Sequence, residues 1–175
     1  MKVLNLGMLF KIIDNFLEDH VAKRIHDVLY TSEFPWYYHD AFSTYKEEID
    51  DKDRYQFVHC FKSNKLGTTS NLYDQIALPI TDKLQINYSN VIRCKVNMSL
   101  YSGKPYTSAW HIDNAEPHKV ALYYVNTNNG YTELETGQKI ECVHNRIVIF
   151  DGLVKHRAIK QTDKKTRVAI NFNYE

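Results

Sequence analysis

The fold is decided by the stretch 91–101, which reads VIRCKVNMSLY and alternates between apolar and polar residues. Successive side chains of a β-strand point to opposite faces, so this alternation predicts a strand with one apolar and one polar face. The apolar face is expected to pack on helices, and the polar face then looks into the interior of a barrel. Polar side chains that face an interior indicate a binding or catalytic site there. The apolar positions are Ile92, Cys94, Val96, Met98 and Leu100, and the polar ones are Arg93, Lys95, Asn97, Ser99 and Tyr101.

Downstream of this stretch the alternating pattern continues to the last residues. Glycine, proline and asparagine separate several of the alternating segments, as expected for short strands joined by turns. Eight short strands with few helical signals between them predict a jelly roll or barrel, and so an α+β, mainly β fold. The strand candidates are 91–102, 108–113, 119–126, 131–135, 139–143, 146–151, 156–161 and 167–174.

The N-terminal half, 1–90, is predicted to supply helical support and rim segments for this barrel. In 10–29, apolar residues such as Val21 and Ile25 recur at helical spacing, and Asp14 is a candidate N-cap for that helix. The charged stretch 46–54 is predicted to be a surface loop.

Two further elements are predicted before the barrel begins. A strand candidate lies at 55–61, and a second helix is expected to start near Thr68. Pro79 should kink or split that helix, because proline lacks the N–H that an internal turn requires. A chain of 175 residues has the length of one domain, here 1–175.

Overall charge and composition are those of an ordinary soluble globular protein. The net charge is +1, which gives no global electrostatic footprint for nucleic acid or a membrane surface and leaves a local basic groove open. No run approaches the roughly 20 apolar residues that cross a bilayer. Three scattered cysteines without a CxxC pair are typical of reduced thiols, so a cytoplasmic protein is expected. A monomer or a homodimer is expected as the oligomeric state.

Three side chains in the C-terminal half have the chemistry of a metal site. His111 and Asp113 are two residues apart and would share one face of a strand, and His156 lies near the start of another candidate strand. Two histidines and one carboxylate on one side of a metal leave open positions, as in non-haem Fe(II) oxygenases. The alternative is a chance His-x-Asp pair at a strand end that bonds only to backbone.

Arg167 extends this pattern from the polar face of the last candidate strand. A buried arginine needs an anionic partner, and its guanidinium can meet a carboxylate through two parallel hydrogen bonds. The alternative for Arg167 is a surface salt bridge. A zinc hydrolase could use the same two histidines and carboxylate, but it gives Arg167 no task. A non-catalytic, cupin-like metal-binding protein also stays open.

About half of the chain resembles the 2-oxoglutarate- and Fe(II)-dependent dioxygenases, and most closely the prolyl 4-hydroxylase-like branch. This resemblance implies a double-stranded β-helix with N-terminal helices against one sheet. The family often has glycine at the positions of Asn129 and Asn145, where asparagine tolerates a left-handed backbone. The matching segments are Ser99 to Gly103, His111 to Asn114, Tyr123 to Asn126, Gly130 to Thr132, Arg146 to Phe150, His156 and Arg167.

The resemblance implies roles for individual residues. His111, Asp113 and His156 match the iron ligands, and Arg167 matches the residue that grips the distal carboxylate of 2-oxoglutarate. Tyr101 and Tyr124 match tyrosines that hydrogen-bond this co-substrate, although each could equally be a core aromatic with a satisfied hydroxyl. His118 and His144 lie near the motif in sequence but are expected outside the ligand set, because three protein ligands suffice.

The implied activity is hydroxylation of an unactivated C–H bond, with release of succinate and CO2. It requires Fe(II), 2-oxoglutarate and O2, with ascorbate as an optional reductant. A prolyl or other peptidyl residue is the first choice of substrate, since the tyrosine matches point to that branch. A small molecule is an open alternative. The lack of net basicity and of a second arginine after Arg167 argues against nucleic acid.

Overall fold

The computed structural model describes residues 3–6, 10–40, 55–101 and 103–175, the first of these ranges by its backbone only. The charged stretch 46–54 lies outside the described residues. The helices are α1 (Asp19–Leu29), α2 (Tyr73–Ile76) and α3 (Leu78–Leu84), followed by a 3-10 turn at Tyr88–Asn90. The strands are β1 (Val3–Leu6), β2 (Phe10–Ile13), β3 (Tyr37–His39), β4 (Gln56–Ser63), β5 (Thr68–Thr69), β6 (Val91–Leu100), β7 (Lys119–Tyr124), β8 (Tyr131–Leu134), β9 (Lys139–Glu141), β10 (Arg146–Asp151), β11 (His156–Ile159) and β12 (Thr166–Tyr174).

The strands of the described ranges form two antiparallel sheets. The larger sheet has nine strands in the order β1-β2-β10-β7-β12-β6-β4-β3, with β5 paired to β4. The smaller sheet has the order β11-β8-β9. Side chains from both sheets line one cavity, so the two sheets face each other across it. The predicted mainly β fold is confirmed, and strands from both halves of the chain share the large sheet.

Helices cover one face of the large sheet, and the small sheet covers part of the other. Ile25, Leu29, Ile76 and Ile80 of the three helices pack in one buried cluster with Val96 of β6. A second cluster lies on the opposite side of the same strands, and it joins residues of β7, β10 and β12 to residues of β8 and β9. The apolar face of β6 therefore packs on helices, as the alternation predicts. No helix of the described ranges is long and apolar enough to cross a bilayer.

The predicted strand 108–113 is wrong as a continuous element. Only isolated bridges form there, one between Thr107 and Ile159 and one between His111 and His156. The Ser108 hydroxyl accepts a 3.0 Å hydrogen bond from the Ala158 N–H. A side-chain oxygen thus takes the place of a backbone carbonyl, which interrupts the ladder between the two bridges.

The predicted start of the first helix, just after Asp14 as its N-cap, is also wrong. Residues 10–13 form β2, whose Ile13 pairs with Ile147 in β10. The helix begins only at Asp19, after Asn15 adopts a positive φ of 50°, and its N-cap residue is Glu18 rather than Asp14. Pairing with β10 overrides the helical pattern of this segment, which is a tertiary effect.

The region around Pro79 follows the prediction in part. Two short helices, α2 and α3, meet at Ala77, and Pro79 lies in the first turn of α3, where its missing N–H is not needed. The predicted helix start near Thr68 is wrong, because residues 68–69 form β5 and pair with the end of β4.

Candidate metal centre

His111, Asp113 and His156 come together in the cavity between the two sheets. One donor atom from each lies within 4.8 Å of the others, and this is the only such group of three or more His, Cys, Asp or Glu side chains in the described part of the chain. Reciprocal backbone hydrogen bonds of 3.1 and 2.9 Å join His111 to His156. This bridge places the two imidazole rings side by side, with centroids 4.5 Å apart.

The carboxylate of Asp113 is held by donors on two neighbouring strands. Its Oδ1 lies 2.8 Å from the Arg93 guanidinium, and its Oδ2 accepts hydrogen bonds of 2.9 Å from the amides of Asn171 and Asn173. Burial alone would raise the pKa of Asp113, but Arg93, His156 and the two amides together hold that pKa well below its usual range. Asp113 is therefore ionised and fixed in orientation.

The two histidines present ring nitrogens as candidate metal donors. Burial, with a further contribution from His111, lowers the pKa of His156 to about 4, although the Asp113 carboxylate acts in the opposite direction. Nδ1 of His111 donates a 3.1 Å hydrogen bond to the carbonyl oxygen of Ala109, which leaves Nε2 as the nitrogen available to a metal. An imidazole must be unprotonated to bind a metal. With one carboxylate, this donor set fits Fe(II) or Mn(II).

Arg167 lines the same cavity and is buried, with 6% of its surface exposed. Its Nε donates to the Cys142 sulfur at 3.0 Å, and one terminal nitrogen donates to Thr132 Oγ1 at 3.0 Å. Among the described residues no carboxylate pairs with Arg167, so the surface salt bridge is ruled out for this part of the chain. A buried cation without an anion is costly. Arg167 is thus a candidate to bind an anionic ligand.

The cavity has a volume of about 70 Å³ and connects the three candidate metal-binding side chains to Arg167. At roughly 10–15 Å³ for each water molecule, it has room for about five waters. Polar side chains from β4, β6, β8 and β12 dominate the wall. The wall includes Gln56, Lys95, Asn97, Thr132 and Asn171 besides the residues already described, with Leu122, Ala158 and Ala169 as apolar members.

The two tyrosines predicted to bind the co-substrate lie in different surroundings. Tyr124 is fully buried, and its hydroxyl donates to Thr132 Oγ1 at 2.8 Å, the oxygen that also accepts from Arg167. Tyr124 therefore reaches Arg167 through Thr132 and is not part of the cavity wall.

The structure does not bring Tyr101 to the site. Strand β6 ends at Leu100, so the alternation that would turn Tyr101 inward stops one residue too early. The Tyr101 side chain is 54% exposed and does not line the cavity, and its backbone N–H bonds to Lys165. In this structure the Tyr101 side chain therefore does not contact the cavity in which a co-substrate would bind.

The sequence interpretation did not assign roles to the residues that hold Asp113. Arg93, Asn171 and Asn173 lie on the polar faces of the first and last barrel strands, where the alternation was visible. The signal was present, but spacing along one strand does not show which side chain of another strand it meets. His118 and His144 lie outside the metal-binding group, and their Nδ1 atoms face the backbone carbonyls of Glu116 and Val125.

No protein-family model matches the chain, and no curated protein sequence matches it. Solved structures do match. A prolyl hydroxylase from Trichoplax adhaerens, solved in complex with a peptide fragment of the hypoxia inducible factor oxygen degradation domain, has a TM-score of 0.65 at 18% identity, covering 94% of this chain and 82% of that chain. A 2OG-Fe(II) oxygenase family oxidoreductase from Burkholderia pseudomallei has a TM-score of 0.65 at 12% identity, covering 95% and 84%.

A third match is SnoN, a non-heme alpha ketoglutarate dependent epimerase from nogalamycin biosynthesis. It has a TM-score of 0.63 at 9% identity, covering 95% of this chain and 77% of that chain. At these identities the likenesses establish the fold, which is the jelly roll of the 2OG-Fe(II) oxygenases. The predicted fold class and the predicted resemblance to this group, with a prolyl hydroxylase among the neighbours, are both confirmed at that level.

Proposed function

We propose that this protein is a 2-oxoglutarate- and Fe(II)-dependent oxygenase that hydroxylates an unactivated C–H bond. One observation carries the proposal: a single cavity holds two histidines, one ionised carboxylate and a buried arginine without an anion among the described residues. A hydrolytic or purely structural metal site would use the first three residues but not Arg167. A dicarboxylic co-substrate that also binds the metal uses all four.

In this proposal His111, Asp113 and His156 hold the iron, and Arg167 binds the distal carboxylate of 2-oxoglutarate. The bound iron, together with 2-oxoglutarate and O2, would supply the oxidising chemistry, and 2-oxoglutarate would be converted to succinate and CO2. The protein keeps Asp113 charged through Arg93, and it fixes the Arg167 guanidinium between Cys142 Sγ and Thr132 Oγ1. These contacts set the donors in place before the ligands arrive.

A peptidyl substrate, with a prolyl residue first, is the preferred form of this proposal. It is supported by the shared fold with a prolyl hydroxylase that was solved with a peptide. A small-molecule substrate is the second candidate, and the likeness to SnoN, an epimerase from nogalamycin biosynthesis, favours it. Mass spectrometry that detects the gain of one oxygen atom, with ascorbate present, distinguishes the two when peptides and small molecules are screened in parallel.

The proposal is tested by binding first and turnover second. Under anaerobic conditions, Mn(II) and then 2-oxoglutarate should each raise the melting temperature, and Fe(II) with 2-oxoglutarate should give the weak visible band of the chelate. His111→Ala and Asp113→Ala should abolish both the metal-dependent shift and substrate-stimulated succinate formation. His20→Ala, on the exposed side of α1, is the matched control and should behave as wild type. Full turnover in both site variants would show that the metal assignment is wrong.

A further inference from the structure

Lys95 places an ammonium group in the cavity without a counter-ion. It lies in the middle of β6 and lines the cavity together with Asp113 and Arg167. Lys95 is half-buried, and within the described ranges no hydrogen bond or salt bridge holds its ammonium group. Burial and the neighbouring Arg93 lower the pKa of Lys95 to about 8, although the Asp113 carboxylate acts in the opposite direction.

Two lysines of the described chain that are more deeply buried than Lys95 behave differently. The Lys62 ammonium donates to the carbonyl oxygen of Tyr88, and that of Lys160 donates to the carbonyl oxygen of Tyr55 at 3.3 Å. A lysine with only a structural role is satisfied in this way, because a buried donor without an acceptor is costly. Lys95 is thus the exception among the three.

The groups that face Lys95 do not neutralise it. Both oxygens of Asp113 are already engaged, one by Arg93 and the other by two asparagine amides. Cys60 pairs with Lys95 across β4 and β6, but burial raises the pKa of this thiol, so it stays neutral. Arg93 adds a further positive charge on the same face of β6.

The position of Lys95 also separates it from the co-substrate arginine. In the pairing of β6 with β12, Lys95 lies opposite Asn171 and Arg167 lies opposite Ser99. Four residues of strand, roughly 13 Å, separate these two levels. Lys95 is therefore level with the residues that hold Asp113. In the proposed function both carboxylates of 2-oxoglutarate are already used, one by Arg167 and the other by the metal, and the Lys95 ammonium is left over.

We propose that Lys95 binds a carboxylate of the substrate close to the carbon that reacts, so that the preferred substrates are acidic. This inference rests on the proposed function and narrows its substrate class. The carboxylate can be the α-carboxylate of a free amino acid or peptide C-terminus, or the side chain of an aspartate or glutamate beside the target residue. All three present the same group to the ammonium.

The test compares probes that differ only in this charge, using the full chain loaded with Mn(II) and 2-oxoglutarate under anaerobic conditions. The pairs are proline and prolinamide, a proline-ending peptide with a free or amidated C-terminus, and a peptide with Asp or Asn next to an internal proline. Calorimetry measures the affinity of each. We expect the carboxylate member of at least one pair to bind about 10- to 100-fold more tightly, and the pair that responds identifies the source of the carboxylate.

Variants then show which residue is responsible for the preference for the carboxylate probes. Lys95→Gln should bring the ratio between paired probes close to one, and Lys95→Arg should restore most of it. Lys65→Gln changes an exposed lysine in the turn after β4 and should leave the ratio unchanged. The affinity for 2-oxoglutarate should change less than about twofold in all three variants. These results together would assign the substrate carboxylate to Lys95.

Three results would overturn the inference. Paired probes could bind equally, or not at all at millimolar concentration, in the wild type. The preference could persist in Lys95→Gln, or that variant could lose affinity for 2-oxoglutarate instead. The probe comparison is also carried out without metal, so that the charge preference is measured independently of the metal site. Failure to bind Mn(II) and 2-oxoglutarate would contradict the proposed function, whereas loss of the charge preference would contradict the role of Lys95.

Discussion

Individual side chains in the cavity differ in how completely their charges are matched. Asp113 is surrounded by Arg93 and two side-chain amides. The Arg167 guanidinium donates only to a sulfur and a hydroxyl oxygen. The Lys95 ammonium has no hydrogen bond or ion pair among the described residues. An anion that enters the cavity therefore meets cations whose desolvation has already occurred on folding. Interactions made with such cations are stronger than the same contacts on an exposed surface.

Arg167 carries the prediction at this scale. Arg167→Met should weaken the affinity for 2-oxoglutarate about 30-fold or more, because the ligand's carboxylate loses its charge-assisted partner. The affinity of Arg167→Lys for 2-oxoglutarate should lie between those of the wild type and Arg167→Met, since a lysine keeps the charge but cannot form two parallel hydrogen bonds. Titration of the Mn(II)-loaded protein measures both, with metal affinity as the internal control. Unchanged 2-oxoglutarate affinity in Arg167→Met would remove Arg167 from the site.

Secondary-structure elements are fastened to one another by a few residues with unusual backbone or side-chain contacts. Asn145, in the turn before β10, has a φ of 59°, and its side chain bonds to the backbone N–H and carbonyl of Leu17 and to the Tyr123 hydroxyl. The asparagine at this position thus does more than tolerate the left-handed backbone. It ties the segment before α1 to the large sheet.

Substitutions at Asn145 separate these two contributions. Asn145→Gly keeps the backbone conformation and loses three hydrogen bonds, which should lower the free energy of unfolding by about 2–3 kcal/mol. Asn145→Ala should cost about 1 kcal/mol more, because alanine is strained at positive φ. Urea denaturation measures both. Equal stability of the wild type and Asn145→Gly would show that the side-chain contacts contribute nothing.

Gly130 sets the distance between β8 and the strand that carries His156. A Cβ at this position would lie 2.8 Å from the carbonyl oxygen of Ile159 and 3.0 Å from the backbone N of Gln161. Gly130→Ala should therefore destabilise the protein by about 1–3 kcal/mol and weaken Mn(II) binding, because β11 must shift. Gly137→Ala is the matched control, since a Cβ there meets only open space and the cost comes from its φ of 92° alone. Stability of Gly130→Ala equal to the wild type would contradict the close packing.

At the scale of the whole molecule, the layers of the fold decide where charge is placed. Helices take the apolar face of β6, so the polar face of the same strand is forced inward, toward the small sheet. The large sheet therefore carries Arg93, Lys95 and Arg167 into a single interior. The net charge of +1 for the chain conceals this local excess of positive charge.

This arrangement predicts how stability depends on pH. The pKa of Lys95 in the folded protein, about 8, lies below the ordinary value of 10.5. The charged amine therefore destabilises the fold fully below pH 8, and the penalty disappears as pH rises from 8 to 10.5, because the folded state releases this proton before the unfolded state does. Lys95→Met should be more stable than the wild type by about 2–3 kcal/mol at pH 7.

Urea denaturation between pH 7 and 10.5 measures the difference between the two proteins, so that other titrating groups cancel. The gap should close toward the upper end of the range. Lys65→Met, at an exposed position, should show no such trend. A Lys95→Met variant that is less stable than the wild type at pH 7 would mean that Lys95 is already satisfied in the ligand-free protein, and would count against its role toward a substrate.

Much of the site could be predicted because its signals are local or depend on periodicity. Alternation over 91–101 predicts a strand and its polar face, and His111, Asp113, His156 and Arg167 have the residue types that a metal and a carboxylate require. Periodicity fails where an element ends or breaks. Tyr101 shows this, because the strand stops at Leu100, and so does 108–113, where a serine side chain interrupts the ladder.

The sequence by itself determined the mainly β fold and the identities of the candidate metal-binding residues, because strand periodicity and donor chemistry are properties of short segments. Only the tertiary structure decided that residues 10–13 form a strand, that Asn171 and Asn173 hold Asp113, and that Lys95 has no partner in the described chain. These facts depend on which strands lie side by side. Spacing along a chain fixes the face on which a side chain lies but not the residue that it meets across the sheet.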